Sequence, residues 1–316
     1  MTEKDRFLAT LLGGTADRFP VFDLEPSDET VRMWRRQGLP SRTSVAKYFD
    51  LELHRDVGLQ VRSAPFYRKA PDLLSDPDSF RRHYDPDDHR RYPRGFAKKC
   101  ERWNRAGRVV YVVASGGGLL QMLGVGDWDT LVAACEALVR RPEAVEELME
   151  RTFDFHCECL ERVLSQVSVD YASFYEPIAS NAGPVVSPEM FRRFALPGYR
   201  KVLELLQKHD VPLRILCTTG GDLGSLLPML VDAGINGLWI SNIMSANMEY
   251  SKLRREYGPE VALIGGIDST ALSRDEATVR RAVMDTVPPL LESGRYLPCL
   301  DDRPRDNSSF SLYGLY

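Results

Sequence analysis

The stretch PLRILCTTGG (212–221) is followed by GLWISN (237–242), VALIGGIDST (261–270) and RYLPCLDD (295–302). Each is a short apolar run that ends in polar or acidic residues, and segments of helix length separate the runs. Apolar strands that alternate with helices are typical of a parallel sheet covered by helices. In a closed barrel of this type the carboxyl ends of the strands meet at one rim, where active sites are normally built. We therefore look for functional residues at these strand ends.

The same alternation extends towards the N-terminus. Strands are predicted at 19–24 (FPVFDL), 108–118 (RVVYVVASGGG) and 171–177 (YASFYEP), and helices at 3–13, 129–139, 142–166, 188–209 and from Leu223 onward. With roughly eight strand-like runs, the chain is predicted to be an α/β protein, a single (β/α)₈ TIM barrel over residues 1–316. A doubly wound open sheet is the alternative, but no GxGxxG turn follows the first strand.

Residues 64–99 interrupt this pattern. They are rich in Pro, Asp and Arg and have no clear hydrophobic period. Because helices and strands resume afterwards, we interpret this segment as a lid or excursion from the barrel and not as a linker between two domains.

Composition excludes several classes of protein. The net charge is −4, so there is no basic surplus to neutralise nucleic-acid phosphates. The N-terminus lacks a secretory signal, and no apolar run has the length of a membrane span. Six cysteines in 316 residues do not resemble a disulfide scaffold. We therefore expect a cytoplasmic protein without nucleic-acid or membrane partners.

Four segments resemble the uroporphyrinogen decarboxylase superfamily, which includes corrinoid-dependent methyltransferases. They are SFYEPIASNAGPVVSPEMFRRFALPGYRKVLELL (173–206), ILCTTGGDLGSLLPMLVDAGINGL (215–238), LIGGIDSTALSRDEATVRRAV (263–283) and LLESGRYLPCLDDRPRDNSSFSLY (290–313). The resemblance implies a (β/α)₈ barrel with its pocket at the carboxyl ends of the strands. The first strand, PVFDLEPSDETVRMW (20–34), looks like the methyltransferase-like and the unassigned branches of the superfamily.

This resemblance implies corrinoid (cobalamin)-linked methyl transfer on a small-molecule substrate, with the corrinoid carried by a partner protein. One alternative is cofactor-free decarboxylation, a lyase reaction, of a porphyrinogen-like or other carboxylated substrate. It would require arginines at the mouth of the barrel, for which Arg303 and Arg305 are the candidates. Another is a barrel that only binds a ligand or partner. A homodimer is also compatible with the resemblance.

The methyltransferase branch binds zinc through a His-x-Cys pair and a later cysteine. In this chain Cys217 stands at the histidine position, Thr219 at the first cysteine position, and Cys299 beside the last one. Since zinc takes about four ligands, Glu176, Asp301 and Asp302 are the candidates to join Cys217 and Cys299, and we select Glu176 as the third metal ligand. The alternative is a purely structural role, in which both cysteines pack in or near the barrel as small apolar residues.

The predicted catalytic residues are Glu176, Cys217 and Asp301. Glu176 follows a strand, and the family commonly has an acidic residue there that faces the pocket. Asp268 is interpreted either as a pocket residue or as a helix cap. The full set of predicted substrate-binding residues is Phe22, Glu25, Tyr175, Asn181, Thr219, Ser241, Asp268, Asp302 and Arg303.

Overall fold

The computed structural model describes residues 1–61, 79–218, 221–241 and 248–316. Its centre is one parallel sheet of seven strands in the order β1-β2-β3-β6-β7-β8-β9. The strands are β1 (Arg55–Asp56), β2 (Val110–Val113), β3 (Tyr171–Tyr175), β6 (Leu213–Thr218), β7 (Gly237–Ile240), β8 (Ala262–Ile264) and β9 (Tyr296–Leu297). Two further strands, β4 (Ala179–Ser180) and β5 (Gly183–Pro184), form a small antiparallel hairpin after β3.

Helices connect successive strands of the sheet, as the sequence predicts. In chain order they are α1 (Glu3–Leu12), α2 (Asp28–Arg36), α3 (Val45–Tyr48), α4 (Ser79–His83), α5 (Phe96–Arg105), α6 (Gly118–Met122), α7 (Trp128–Arg140), α8 (Pro142–Leu164), α9 (Pro188–Phe194), α10 (Leu196–Lys208), α11 (Leu227–Ala233), α12 (Tyr250–Tyr257), α13 (Glu276–Glu292) and α14 (Phe310–Leu315). Short 3₁₀ helices occur at His89–Arg91 and Ser269–Ser273. The α/β fold with a parallel sheet is confirmed.

The two faces of the sheet bury different residues. In β6, Leu213, Ile215 and Cys217 belong to one apolar cluster, whereas Leu216 belongs to another. Successive side chains of a strand point to opposite faces, so this division separates an inner face from a face covered by helices. Phe7 and Leu11 of α1 pack into the inner cluster. Helix α1 therefore fills the inner face from one end and leaves the carboxyl ends of the strands for a site.

The segment predicted as a strand at 19–24 contacts residues beside both edge strands of the sheet, β1 and β9. No strand is assigned to it, but the Val21 carbonyl accepts the Glu52 N–H at 2.7 Å, beside β1. On the other side, the Asp23 carboxylate accepts the Leu300 N–H at 2.9 Å, beyond β9. Seven parallel strands are thus present in the described residues, while the closed eight-stranded barrel remains a prediction.

Two predicted helix boundaries were wrong. The helix predicted at 188–209 is two helices, α9 and α10, that meet at Ala195 (φ −107°, ψ −46°), because Pro197 lacks an N–H and is accommodated only in the first turn of a new helix. The helix predicted from Leu223 begins at Leu227, and Asp222 accepts the Gly224 N–H in a turn before it.

Part of the predicted excursion at 64–99 lies outside the described residues. Its described part, from residue 79, contains α4, the 3₁₀ helix His89–Arg91 and the start of α5. None of the helices in the described ranges is both long and apolar enough to cross a membrane.

Candidate active site

A cleft lies where the carboxyl ends of β3, β6, β7 and β9 meet. Tyr175 pairs with Cys217 in the β3–β6 register, and Cys217 pairs with Trp239 in the β6–β7 register. Residues at the same level of neighbouring strands lie side by side, so these three side chains form one row. The described residues that line the cleft are Leu24, Tyr175, Cys217, Thr218, Trp239, Asp301 and Asp302.

Asp301 is the buried carboxyl of this cleft. It is 3% exposed, and one oxygen accepts the Ser269 N–H at 3.0 Å. Its other oxygen lies 3.4 Å from the Ser241 hydroxyl, which donates to it. Burial raises the pKa of Asp301 to about 6, and the hydrogen bond from the Ser269 N–H opposes this rise only in part. Asp301 can therefore hold or release a proton near neutral pH, as a general acid or base must.

Asp302 lies at the solvent edge of the same cleft. Its carboxylate pairs with the Arg305 guanidinium at 3.6 Å and accepts the Arg303 N–H at 2.7 Å. Arg303 is exposed and does not belong to the described lining. Asp302 therefore contributes negative charge to the cleft, while both arginines stay outside its described wall.

The predicted residues Phe22 and Ser241 lie next to the cleft. Phe22 packs edge-on against Trp239, with ring centroids 5.4 Å apart, and Ser241 contacts Asp301 as described above. Glu25 is exposed, and Asn181 is exposed in the turn of the β4–β5 hairpin. Neither of them lines the cleft. Thr219 lies outside the described residues.

Asp268, which was predicted to be either a pocket residue or a helix cap, is a helix cap. Its carboxylate accepts hydrogen bonds from the Thr270 N–H at 2.8 Å and the Thr270 hydroxyl at 2.7 Å. It is exposed and caps the 3₁₀ helix Ser269–Ser273. The structure therefore gives Asp268 a capping role and no place in the cleft.

Glu176 lies on the opposite face of β3 from Tyr175. Its carboxylate is fully buried and accepts the Leu119 N–H at 3.1 Å and the Tyr199 hydroxyl at 2.7 Å. Burial raises the pKa of Glu176 to about 7. Gly118 adopts φ +83°, and a Cβ on this residue would collide with the Glu176 carboxylate. The structure thus places Glu176 between the sheet and helices α6 and α10, apart from Cys217 and Asp301.

The predicted zinc ligands do not form a group. Cys217 and Cys299 both belong to the inner cluster, whereas Glu176 lies on the helix side of the sheet. In the described ranges, no three His, Cys, Asp or Glu side chains are close enough to hold a metal ion. Burial raises the pKa of Cys217 to about 12, and that of Cys299 well above its ordinary value. Because Glu176 lies apart from the two cysteines and no third ligand joins them, the described residues do not form a zinc site.

Sequence reasoning overlooked the aromatic inner face beneath the cleft. His54 stacks on Phe22 at 4.0 Å, and its Nδ1 lies 3.0 Å from the Tyr171 hydroxyl. Tyr171 in turn stacks on Tyr111 at 4.8 Å. Burial lowers the pKa of His54 to about 3, so the ring is neutral. The period-two pattern of β2 and β3 (Tyr111, Tyr171, Tyr175) was the available signal for the tyrosines, but His54 precedes its strand and had none.

The fold and this cleft define an α/β protein whose candidate site lies at the carboxyl ends of parallel strands. A family model described as uroporphyrinogen decarboxylase (URO-D) matches residues 110–296, more than half of the chain. The chain belongs to this family, which confirms the resemblance noted in the sequence.

Two similar proteins are named uroporphyrinogen decarboxylase. One is from Cupriavidus pinatubonensis (strain JMP 134 / LMG 1197) and the other from Cupriavidus necator (strain ATCC 17699 / DSM 428 / KCTC 22496 / NCIMB 10442 / H16 / Stanier 337), and each is 31% identical over 150 residues. The matched part is 44% of this chain and only 38% of the length of each relative.

A solved structure described as a methyltransferase from Methanosarcina mazei has a similar fold. Its TM-score is 0.64 at 16% identity, and the match covers 100% of this chain and 98% of the other. At this identity the similarity supports the fold alone. Family membership and the names of the similar proteins together point to an enzyme.

Proposed function

We propose that this protein transfers a methyl group from a small substrate to a corrinoid carried by a partner protein. The observation that carries the proposal is the chemistry of the cleft. Its described wall combines aromatic side chains with two carboxyl groups, and it contains no lysine or arginine. Such a wall favours a neutral or cationic methylated compound over a substrate with several carboxylates, because the carboxylates of the wall would repel an anion.

Asp301 is the proposed proton donor. When a methyl group leaves an oxygen, nitrogen or sulfur atom, the leaving atom gains electron density, and a proton supplied there lowers the barrier. Asp301 is buried beside the cleft, and its raised pKa keeps part of its population protonated near neutral pH. Tyr175 and Trp239 would hold the substrate between them through their aromatic faces.

The corrinoid would supply a cobalt centre that accepts the methyl group. The chain's own contribution is to bind and orient the methylated substrate and to hold the proton at the Asp301 carboxyl. We assign no step to zinc, because Cys217 and Cys299 are buried thiols without a third ligand among the described residues.

Decarboxylation of a carboxylated substrate is the second candidate. It is supported by the names of the two Cupriavidus relatives. Asp301 would then donate a proton to the carbon that loses carbon dioxide. Arg303 and Arg305, the arginines expected to bind the substrate carboxylates, lie outside the described wall of the cleft, which is why this candidate ranks second.

The test is a direct assay with both substrate classes. A panel of O-, N- and S-methyl compounds is incubated with the protein and reduced cobalamin, and formation of methylcobalamin is followed by absorbance. Uroporphyrinogen is assayed in parallel for loss of carboxyl groups. We expect methylcobalamin with at least one compound of the panel. Conversion of uroporphyrinogen without any methyl transfer would reject the proposal in favour of decarboxylation.

A further inference from the structure

A second cavity lies beside the 19–23 segment, and none of its lining residues lines the cleft. It has a volume of about 400 Å³ and lies between the 19–23 segment, the end of β9 and helices α13 and α14. Pockets of this size hold small organic ligands. Its walls are almost entirely apolar; the lining residues are Phe19, Pro20, Val21, Phe22, Asp23, Phe49, Leu51, Ile267, Val283, Val287, Pro298, Tyr313, Gly314 and Tyr316.

Asp23 is the charged residue of this cavity. It is 3% exposed, and its carboxylate accepts the Leu300 N–H at 2.9 Å, the Tyr313 hydroxyl at 3.0 Å and the Tyr316 hydroxyl at 3.4 Å. A carboxylate has about four acceptor positions, so one of them is left on Asp23. Burial raises the pKa of Asp23 to about 7, and the partners of its carboxylate in the described residues are these three neutral donors, without a cation.

The two tyrosines add acceptors and no further donors. Each hydroxyl has a single hydrogen, and Tyr313 and Tyr316 both donate theirs to Asp23. Their oxygen lone pairs can still accept hydrogen bonds. The polar side chains of the cavity therefore present three acceptor groups: one carboxylate and two phenol oxygens. A ligand that matches them must bring donors, and a ligand that also brings positive charge would compensate Asp23.

No side chain of the described wall is cationic. Arg18 directly precedes the 19–23 segment in the sequence, and its guanidinium is bound to the Glu52 carboxylate at 2.6 Å and to the Phe19 carbonyl at 3.0 Å. The cavity is accessible from outside, because Phe19 and Val21 at its rim are 50% and 42% exposed. A small molecule can therefore reach Asp23 without displacing an existing ion pair.

We propose that this cavity binds a small hydrophobic primary amine in its ammonium form. A primary ammonium group has three N–H donors, which equals the number of acceptor groups that Asp23, Tyr313 and Tyr316 provide. An aromatic or branched alkyl portion would fill the apolar remainder. An anion would be repelled by Asp23, and a neutral alcohol would supply one donor and no charge. The site is distinct from the cleft and does not depend on the proposed function.

The proposal is tested by titrating the protein with 2-phenylethylamine in a calorimeter. Its isosteres 2-phenylethanol and 3-phenylpropionate are titrated under the same conditions. We expect the amine to bind at least about tenfold more tightly than the alcohol, and the carboxylate more weakly still. Equal affinity for amine and alcohol, or absence of heat with the amine up to about 10 mM, would overturn the proposal.

Two variants locate the binding site. Asp23→Asn removes the charge but keeps an acceptor for the Leu300 N–H, so the preference for amine over alcohol should fall by about tenfold. Val287→Phe fills the cavity from α13 and leaves Asp23 in place, so amine binding should weaken by about tenfold or more.

Met284→Phe is the matched control on the same helix. Met284 is 64% exposed and does not line the cavity, so this substitution should leave amine binding unchanged. If Val287→Phe and Met284→Phe bind the amine equally well, the ligand lies elsewhere and the proposal fails. Because Val287→Phe retains Asp23, this comparison stands even if Asp23→Asn does not fold.

Discussion

Tyr175 and Glu176 are neighbours in the sequence but lie on opposite faces of β3. Tyr175 lines the cleft together with Cys217 and Trp239, whereas Glu176 is enclosed between the sheet and Tyr199. Burial raises the pKa of both Glu176 and Asp301, yet Asp301 lines the cleft and Glu176 does not. A raised pKa therefore reports burial, and access distinguishes a candidate catalytic carboxyl from a structural one.

The largest effect on stability is expected on the helix-covered side of the sheet, where Gly118 contacts Glu176. Gly118→Ala introduces a side chain at φ +83° and a collision with the buried carboxylate. We expect a loss of about 4 kcal/mol in the free energy of unfolding, measured by urea denaturation.

Gly294→Ala is the control for this substitution. Gly294 also has a positive φ (+73°), but no atom lies within 4 Å of an added Cβ. Gly294→Ala should therefore lower the free energy of unfolding by only about 1 kcal/mol, the cost of placing alanine in a left-handed backbone conformation. Equal costs for the two variants would show that the Gly118–Glu176 contact does not constrain the packing.

The next largest effect, on catalytic activity, is expected for Asp301 in the cleft. Asp301→Asn removes the proton donor, so kcat/KM for methyl transfer should fall by about 100-fold. With an acid of pKa about 6, kcat/KM of the native protein should also decline as the pH rises through this value, and the variant should lack this decline.

Asp268→Asn is the matched control for Asp301. Asp268 lies at the end of the neighbouring strand, but it is exposed and outside the cleft, and asparagine can keep its capping role. We expect its activity to stay within about twofold of the native value. Normal turnover by Asp301→Asn would eliminate Asp301 as the proton donor.

The sequence predicted the strands of the sheet better than the direction of individual side chains. Apolar runs ending in polar residues correctly located β3, β6, β7, β8 and β9, and α1, α7 and α8 were found within about two residues. Whether a residue just past a strand faces the cleft or the helices depends on a shift of one position. The sequence alone did not define that register, so Glu176 was grouped with Cys217 and Asp301.

The long-range contacts of the cleft and of the second cavity were beyond prediction for a different reason. Asp23 lies in the segment predicted as a strand at 19–24, but its partners Leu300, Tyr313 and Tyr316 are almost 300 positions away along the chain. No local pattern signals such a contact. The same holds for Ser269 and Ser241, which hydrogen-bond Asp301 from other strand ends.

A smaller effect, on the pH dependence of stability, is expected from the ionisation of Glu176. Its pKa in the folded protein, about 7, lies above the ordinary value of 4.5. The protonated form is therefore favoured by folding, and the stability it provides is present in acid and lost as the pH rises through about 7. Between pH 5 and pH 8 the native protein should lose about 2 kcal/mol through this group.

Glu176→Gln should remove that loss, because glutamine keeps an acceptor for the Leu119 N–H and never ionises. Urea denaturation of both proteins at pH 5 and pH 8 measures the difference, and the contributions of Asp23 and Asp301 are common to both. A stability difference between the two proteins that does not change with pH would contradict the assignment. Methyl transfer by Glu176→Gln should remain within about threefold of the native rate at pH 5, where both side chains are uncharged.

The smallest effect is expected for Cys217→Ala, and it tests whether the thiol acts in the cleft or merely lines it. The pKa of about 12 keeps this thiol neutral at physiological pH, and no third ligand accompanies it in the described residues. We therefore expect kcat/KM within about threefold of the native value and no change when zinc is chelated or added. Cys135→Ala, at a half-buried position on α7, is the control. A loss of about 100-fold together with loss of bound zinc, measured by elemental analysis, would instead establish Cys217 as a metal ligand and would require ligands from outside the described residues.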